Sequence, residues 1–173
     1  DKVSQVTGSV NPVTSSHFNF SVYQPMGVIG IVADQTTSLI GLVSQVIPVI
    51  ASGNTVVVLA AENLPLCAVT FAEVINSSDV PGGVVNILTG KPDEPASVLG
   101  THMDVNAIVL GSDAKELNAS LRKSSALNLK RVIEMQADWS KADEQGLYHI
   151  TDCMELKTTW HPVENIGGST SSY

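Results

Sequence analysis

The residues best suited to chemistry in this sequence are two cysteines, four histidines and scattered carboxylates. Cys67 and Cys153 lie far apart, without CxxC spacing and without a neighbouring histidine that could activate a thiolate nucleophile. We interpret Cys67 as core packing within an apolar helix and Cys153 as a residue without a catalytic role. The histidines share no spacing typical of a metal site; they are His17, His102, His149 and His161.

The composition indicates one acidic, aliphatic domain in a reducing compartment. The chain has 173 residues, 43% of them hydrophobic, and a formal net charge of −8. This acidic balance disfavours nucleic acid and anionic membrane surfaces as partners. The longest apolar run, residues 39–51, is too short and too polar to span a bilayer, and no signal peptide is visible. We therefore predict a cytoplasmic protein and, because Asp1 is not an initiator methionine, expect a piece of a longer chain.

Apolar runs rich in Val and Ile alternate with helical patterns, which predicts a parallel sheet with helices on both faces. Strands are predicted at residues 27–33, 55–59, 84–88, 107–110 and 131–135. Helices are predicted at residues 38–51, 65–75, 94–99 and 113–125. The predicted fold class is α/β, with a Rossmann-like sheet over residues 24–135.

The two ends of the chain alternate apolar and polar residues and predict a different structure. Residues 1–23 and 147–165 are assigned to a small antiparallel β-flap of the oligomerisation type, with β-runs at 147–152 and 155–160. Residues 136–146 are polar and are interpreted as a linker. Residues 166–173 are rich in Gly and Ser and are interpreted as a flexible tail.

Three segments resemble the aldehyde dehydrogenase family. Residues 24–28 (QPMGV), 47–57 (IPVIASGNTVV) and 80–90 (VPGGVVNILTG) are similar to its E-P-x-G-V, P-A-L-A-x-G-N-x-V-V and P-x-G-V-V-N-x-x-x-G segments, in the same order and spacing. The resemblance covers residues 1–135, with a second patch near 147–160. It implies the cofactor-binding half of such an enzyme, joined directly to the family's last β-segment without the catalytic half between them.

The resemblance also implies where the family's catalytic residues would stand, and these residues are replaced. Thr36 stands at the oxyanion-stabilising asparagine, Leu59 at the cofactor-contacting lysine and Met135 at the general-base glutamate. Losing one oxyanion donor typically costs roughly 100- to 1000-fold in rate. Glu134 is one residue from the base position, but a shift of one residue on a strand points a side chain to the opposite face. Nothing resembles the segment with the nucleophilic cysteine.

Two positions implied for the cofactor keep a family residue. Glu62 stands where the family's acidic residue meets the adenosine ribose, and Ser112 matches the turn that receives the pyrophosphate at a helix N-terminus. Asp113 adds a negative charge beside that turn, which opposes a phosphate. Glu62 is interpreted equally well as a solvated charge, whereas the pattern around Ser112 favours a simple helix N-cap. We expect no bound cofactor, with NAD binding weak or absent.

Within the family, the arrangement resembles the degenerate, non-catalytic C-terminal half of family 16 aldehyde dehydrogenases. We predict a non-catalytic module for assembly or interaction within a larger dehydrogenase, either as a homo-oligomer, most simply a dimer, or against the catalytic unit of its parent chain. We expect residues 113–125 and 147–160 to form the surfaces that make these contacts. Trp139 and Trp160 are expected to pack in the flap or in an interface. Two alternatives remain open: a regulatory domain that binds an NAD-type nucleotide through Glu62 and Ser112, and a truncated fragment of an active NAD-dependent aldehyde dehydrogenase.

Overall fold

The computed structural model describes residues 8–163 and divides the chain into two compact units. The smaller unit takes its residues from the two ends, within 1–24 and 156–173, and the larger unit comprises residues 25–155. The strands in the described residues are β1 (Ser9–Asn11), β2 (His17–Pro25), β3 (Val28–Val32), β4 (Thr55–Leu59), β5 (Val85–Leu88), β6 (Ala107–Leu110), β7 (Arg131–Glu134) and β8 (Met154–Pro162). The α-helices are α1 (Ile40–Ala51), α2 (Leu66–Asn76), α3 (Asp93–Thr101), α4 (Lys115–Ala126) and α5 (Tyr148–Thr151).

The larger unit is built on a five-stranded parallel sheet in the order β5-β4-β3-β6-β7. The chain moves outward from β3 to β5 and then returns to the other side of β3 with β6. This reversal places a crevice at the carboxyl ends of β3 and β6. The predicted parallel sheet and the positions of its strands and helices are confirmed, with small differences at the ends.

The helices cover both faces of this sheet because its strands are apolar on both sides. One core contains side chains of α1 and α2, together with Ile29 and Ile31 of β3. The second core contains side chains of α3 and α4 against Val32 and Ile108. Within residues 8–163, no helix is long and apolar enough to cross a membrane.

The segment after β7 differs from its prediction in two ways. The expected β-run at 147–152 is wrong, because residues 148–151 form helix α5, in which the N–H of Asp152 donates to the Tyr148 carbonyl at 2.8 Å. So short a run fits the two-residue period of a strand and the 3.6-residue period of a helix alike, and contact with α1 favours the helix. The interpretation of Trp139 as flap or interface packing is also wrong. Its side chain is buried in the first core with Met135 and Cys153, so the polar segment 136–146 is anchored to the sheet.

The smaller unit is a three-stranded sheet in the order β1-β2-β8. β1 and β2 are antiparallel, with Ser9 opposite Ser21. β8 also runs antiparallel to β2, because the Val163 N–H donates to the Ser16 carbonyl at one end while Ser21 and Thr158 share a hydrogen bond at the other. The predicted antiparallel sheet from the two ends is therefore confirmed. Residues 1–7 and the predicted tail at 166–173 lie outside the described residues.

Candidate functional site

At the carboxyl edge of the parallel sheet, the side chain of Gln45 connects backbone groups that follow two different strands. Gln45 projects from α1 and has an exposed fraction of 0%. Its Oε1 accepts a hydrogen bond of 3.0 Å from the backbone N–H of Asp34, just after β3. Its Nε2 donates one of 3.0 Å to the carbonyl of Met135, just after β7. Buried backbone groups need such partners. Gln45 therefore supplies from within the chain what a bound ligand or water would otherwise supply.

Gly111, at the end of β6, makes room for this amide. A Cβ atom placed on Gly111 would lie 2.2 Å from Nε2 of Gln45 and 2.5 Å from its Cδ. No real side chain tolerates such a distance. Gly111 directly precedes Ser112, the residue that the resemblance assigns to the pyrophosphate turn, and the space beside it holds the glutamine side chain.

A second glutamine joins the ends of β3 and β4. The Nε2 of Gln35 donates to the Ala33 carbonyl at 2.8 Å, and its Oε1 accepts from the backbone N–H of Glu62 at 2.9 Å. The Glu62 carboxylate itself is exposed. At Glu62, the position implied for ribose recognition, the backbone N–H is thus already bonded to Gln35 within the chain.

The turn after β3 is held by the carboxylate of Asp34. Its Oδ1 accepts from the Thr36 N–H at 2.9 Å and from the Thr36 hydroxyl at 2.7 Å, and its Oδ2 accepts from the Thr37 hydroxyl at 2.6 Å. Burial raises the pKa of Asp34, but the hydrogen bonds from Thr37 and Thr36 outweigh it and hold the pKa below its usual value. Because Thr36 donates its hydroxyl proton to this carboxylate, it is not free to donate to a developing oxyanion.

Ser112 is buried directly after β6, and both its hydroxyl oxygen and its carbonyl accept hydrogen bonds from within the chain. Its hydroxyl accepts from the Ala114 N–H at 3.2 Å, while its carbonyl accepts from Asn118 Nδ2 at 2.8 Å and Gln136 Nε2 at 2.7 Å. The interpretation of Ser112 as the N-cap of α4 is wrong, since Ala114 holds that position. Asp113 is exposed just ahead of the helix.

The position implied for the general base carries no acid. Met135 is buried in the core on the α1 side of the sheet. The neighbouring Glu134 lies on the opposite side, where its carboxylate accepts from Arg122 of α4 at 2.6 Å. The alternation of side chains along a strand predicts this separation. Leu59, at the position implied for the lysine, is buried in the second core.

The two thiols differ in their surroundings. Cys153 lies in the turn between α5 and β8 with an exposed fraction of 0%. Burial raises the pKa of its thiol to about 12; the nearby Asp152 adds to this effect and Arg131 opposes it. Cys67 on α2 is partly exposed, so its interpretation as a core residue is wrong. Among residues 8–163 no group of His, Cys, Asp and Glu side chains could hold a metal ion.

A dinucleotide is the ligand that such a sheet implies, and the residues at its edge do not fit one. The cradle beside Gly111 is filled by Gln45, and the Ser112 hydroxyl is engaged with Ala114. Asp113 would face the phosphates with like charge. Leu59 offers no cation in place of lysine. At these residues a pyrophosphate would find neither free space beside Gly111 nor a cation at Leu59.

The strand order and the helices on both faces define a Rossmann-like α/β domain, with its polar edge closed by its own side chains. The profile of the "Aldehyde dehydrogenase family" matches residues 1–135, which is more than half of the sequence. The chain belongs to the aldehyde dehydrogenase family.

Individual relatives show how much of such a protein is present. "Aldehyde dehydrogenase, cytosolic 1" of Elephantulus edwardii is 32% identical over 129 residues, which cover 74% of this chain and 26% of that protein. "2-hydroxymuconic semialdehyde dehydrogenase" of Pseudomonas sp. (strain CF600) is 36% identical over 115 residues, or 66% and 24% of the two chains. The crystal structure of PnpE from Pseudomonas sp. WBC-3 superposes with a TM-score of 0.72 at 27% identity, covering 78% of this chain and 28% of that one. The chain thus spans about a quarter of the length of these relatives.

Sequence reasoning singled out Glu62, Ser112, Thr36 and Met135 but missed the two glutamines, Gln35 and Gln45, that connect strand ends of the sheet. The only signal for Gln45 was a long polar side chain within an otherwise apolar helix. Its partners, Asp34 and Met135, are backbone groups distant in sequence, and no spacing rule finds them.

Proposed function

We propose that this chain is a non-catalytic, aldehyde-dehydrogenase-like module that serves assembly or interaction within a larger dehydrogenase. In this proposal it corresponds to the degenerate C-terminal half of family 16 members. The observation that carries the proposal is the environment of Met135, which stands at the position implied for the general base. Met135 stands there buried, with its carbonyl bonded to Gln45, while the adjacent carboxylate of Glu134 is ion-paired on the other side of the sheet.

The chemistry of aldehyde oxidation supports the same conclusion. The reaction needs a thiolate nucleophile, a base and an oxyanion donor in one place. The Thr36 hydroxyl is turned to Asp34, and burial keeps the Cys153 thiol protonated at neutral pH. An active fragment would need a nucleophile, a base and an oxyanion donor from residues that are buried or bonded to other groups here.

The proposed contact surface is the strand β8. Among the described residues β8 pairs only with β2, so its second edge is open. Leu156 and Trp160 on this strand keep 56% and 58% of their surface exposed. An open, partly apolar strand edge is a template for pairing with another chain. We propose that the edge pairs with a second copy to form a dimer, or with the catalytic unit of the parent protein.

The helix α4 was expected to contribute a second surface. Its exposed side is polar and carries Lys115, Glu116, Arg122 and Lys123. Any contact made there would use hydrogen bonds and charges, so the proposal rests on β8. We further propose a cytosolic location, the one named for the Elephantulus edwardii relative.

The absence of catalysis is tested with purified protein, NAD and a panel of aldehydes. We expect no NADH above the level of a control that carries Cys67→Ala and Cys153→Ala. Turnover that depends on either cysteine would establish the truncated-enzyme alternative instead. Micromolar NAD binding that Glu62→Ala abolishes would establish the regulatory-nucleotide alternative.

The β8 contact is tested by light scattering on the whole chain. The paired substitutions Leu156→Lys and Trp160→Lys place charges on the exposed strand and should lower the oligomeric state. Val10→Lys on β1, in the same sheet and with 71% of the Val10 surface exposed, is the control and should leave it unchanged. An unchanged mass for the β8 variant would remove the support for this surface.

A further inference from the structure

The backbone of β8 shows which of its groups face the open edge of the smaller sheet. The N–H of Val163, the residue after β8, donates to the Ser16 carbonyl at 2.9 Å, so odd-numbered residues of β8 turn their N–H groups toward β2. Because these groups alternate in direction along a strand, those of Leu156, Thr158 and Trp160 point to the opposite edge. Among the described residues no strand pairs with that edge. Such a row of outward N–H and C=O groups fits another extended strand.

The side chains of β8 are self-complementary about Thr158. When two copies of the strand run antiparallel with Thr158 opposite Thr158, Leu156 of each lies opposite Trp160 of the other. Both side chains are largely exposed in the single chain, at 56% and 58%. On the other face of the sheet Glu155 lies opposite His161, and no like charges stand directly opposite each other. Cross-strand pairs of these kinds stabilise a sheet.

The ends of β8 favour this register over its neighbours. The two residues of an antiparallel pair turn their backbone groups both toward each other or both away, so even-numbered residues must oppose even-numbered ones. In this register Pro162, which has no N–H, lies opposite Met154. The Met154 carbonyl already accepts a hydrogen bond of 2.7 Å from Arg131 and so needs no donor there. The next register in one direction leaves the Leu156 carbonyl against Pro162, and the next in the other sets Lys157 against Lys157, which is unfavourable.

We infer that β8 pairs with β8 of a second copy about a two-fold axis at Thr158, giving a continuous sheet in the order β1-β2-β8-β8-β2-β1. This inference rests on the proposed assembly role and names its partner as the second copy rather than the catalytic unit. A two-fold contact is self-complementary, as this register of β8 is. Each copy has a net charge of −8, but the strand itself carries one acid, Glu155, and one lysine, Lys157. At physiological salt, charges farther apart than about 8 Å are largely screened.

Disulfide formation between single cysteines tests the register. In a Cys67→Ser background, Thr158→Cys should crosslink two copies, because the Cα atoms of an opposing pair of this type are about 5.5 Å apart. Thr159→Cys alone is the matched control and should crosslink about tenfold more slowly, since residue 159 lies opposite residue 157. A mixture of the Lys157→Cys and Thr159→Cys proteins should crosslink readily. Equal rates for Thr158→Cys and Thr159→Cys would overturn the register.

Sedimentation velocity on the whole chain tests the backbone pairing. Thr158→Pro removes the outward N–H at the axis, whereas the N–H groups that face β2 belong to odd-numbered residues and are kept. It should raise the apparent dissociation constant about tenfold or more. Thr158→Ala keeps the N–H and is the matched control, which should keep the mass of the parent protein. If Thr158→Pro also keeps that mass, the inference is wrong.

The outcomes separate this inference from the proposed function. If the paired change Leu156→Lys, Trp160→Lys lowers the mass but Thr158→Cys forms no disulfide between copies, β8 contacts a different surface. The inference is then wrong, while β8 stands as the contact surface. A parent protein that sediments as a monomer would also overturn the inference and leave the catalytic unit as the proposed partner. Cysteine-dependent aldehyde oxidation would overturn the proposed function, whatever the crosslinking shows.

Discussion

The amide of Gln45 and the backbone of Gly111 are in contact, and the absence of a side chain at Gly111 makes the contact possible. A Cβ there would lie 2.2 Å from Gln45 Nε2. The same amide bonds to Asp34 after β3 and to Met135 after β7. Three strand ends of the sheet are therefore connected through one side chain. This buried contact contributes to the stability of the domain.

The first prediction concerns this pair of residues. Gly111→Ala should lower the free energy of unfolding by about 1–3 kcal/mol, because it overpacks a filled space. Gln45→Ala should lower it by about 2–4 kcal/mol, because it leaves a cavity and two buried backbone groups without partners. The double variant should lose less than the sum, by about 1 kcal/mol, since the smaller residue at 45 removes the clash. Urea unfolding of the four proteins measures this, and strictly additive losses would contradict the contact.

The second prediction concerns Asn54, which is buried at the start of β4. Its Oδ1 accepts from the Gly27 N–H at 2.8 Å, and its Nδ2 donates to Ser52 Oγ at 2.7 Å and to the Cys153 carbonyl at 2.8 Å. Asn54→Ala should lower the free energy of unfolding by about 2–4 kcal/mol, because it leaves buried groups unpaired. Exposed Asn76→Ala is the control and should change it by less than about 0.5 kcal/mol. A thermal shift equal in both variants would contradict the role of Asn54.

The third prediction concerns the thiol of Cys153. Because burial raises its pKa from 9.0 to about 12, the protonated thiol is favoured in the folded state. Its contribution to stability is therefore fully present below pH 9 and is lost as pH rises toward 12. Cys153→Ala should flatten the alkaline fall in the free energy of unfolding. With a disulfide reagent at pH 8, the native protein should react through Cys67 and not through Cys153, while the unfolded chain reacts at both. Rapid native labelling of a Cys67→Ser variant would contradict this.

The fourth prediction concerns cofactor. With Gln45 beside Gly111, and Asp113 ahead of α4, we expect an NAD dissociation constant above about 1 mM, a binding free energy smaller than roughly 4 kcal/mol. Asp113→Asn removes the like charge but leaves the space filled, so it should not bring binding into the micromolar range. Calorimetry on both proteins measures this. Tight binding by the Asp113→Asn variant would show that charge alone, rather than space, limits the site.

The fifth prediction is a small effect. Arg122 and Glu134 form an ion pair of 2.6 Å, but both side chains are largely exposed to solvent. Exposed pairs contribute about 0–1 kcal/mol. Glu134→Gln should therefore change the midpoint of urea unfolding very little, and less than Asn54→Ala does. A loss comparable to that of Asn54→Ala would indicate that Glu134 has a second role.

The sequence alone predicted the parallel sheet of the larger unit, because its strands are buried on both faces and read as unbroken apolar runs. Val28–Val32 and Thr55–Leu59 are examples in which composition and turn residues leave little choice. It also predicted the antiparallel sheet at the ends. The segment around α5 was missed, because a run of a few residues fits the strand and helix periods alike. Contact with α1 decided between them.

The sequence by itself also predicted, through its resemblance to the family, which functional positions are replaced, such as position 59, where leucine stands and a lysine is implied. Only the tertiary structure decided what the replaced site became. Gln35 and Gln45 join backbone groups from strands that are far apart along the chain, and Trp139 reaches the core from a segment that reads as polar. Hydrogen bonds between side chains and distant backbone atoms depend on which strand ends lie side by side. That adjacency follows from the order β5-β4-β3-β6-β7, which local patterns of apolar and polar residues do not encode.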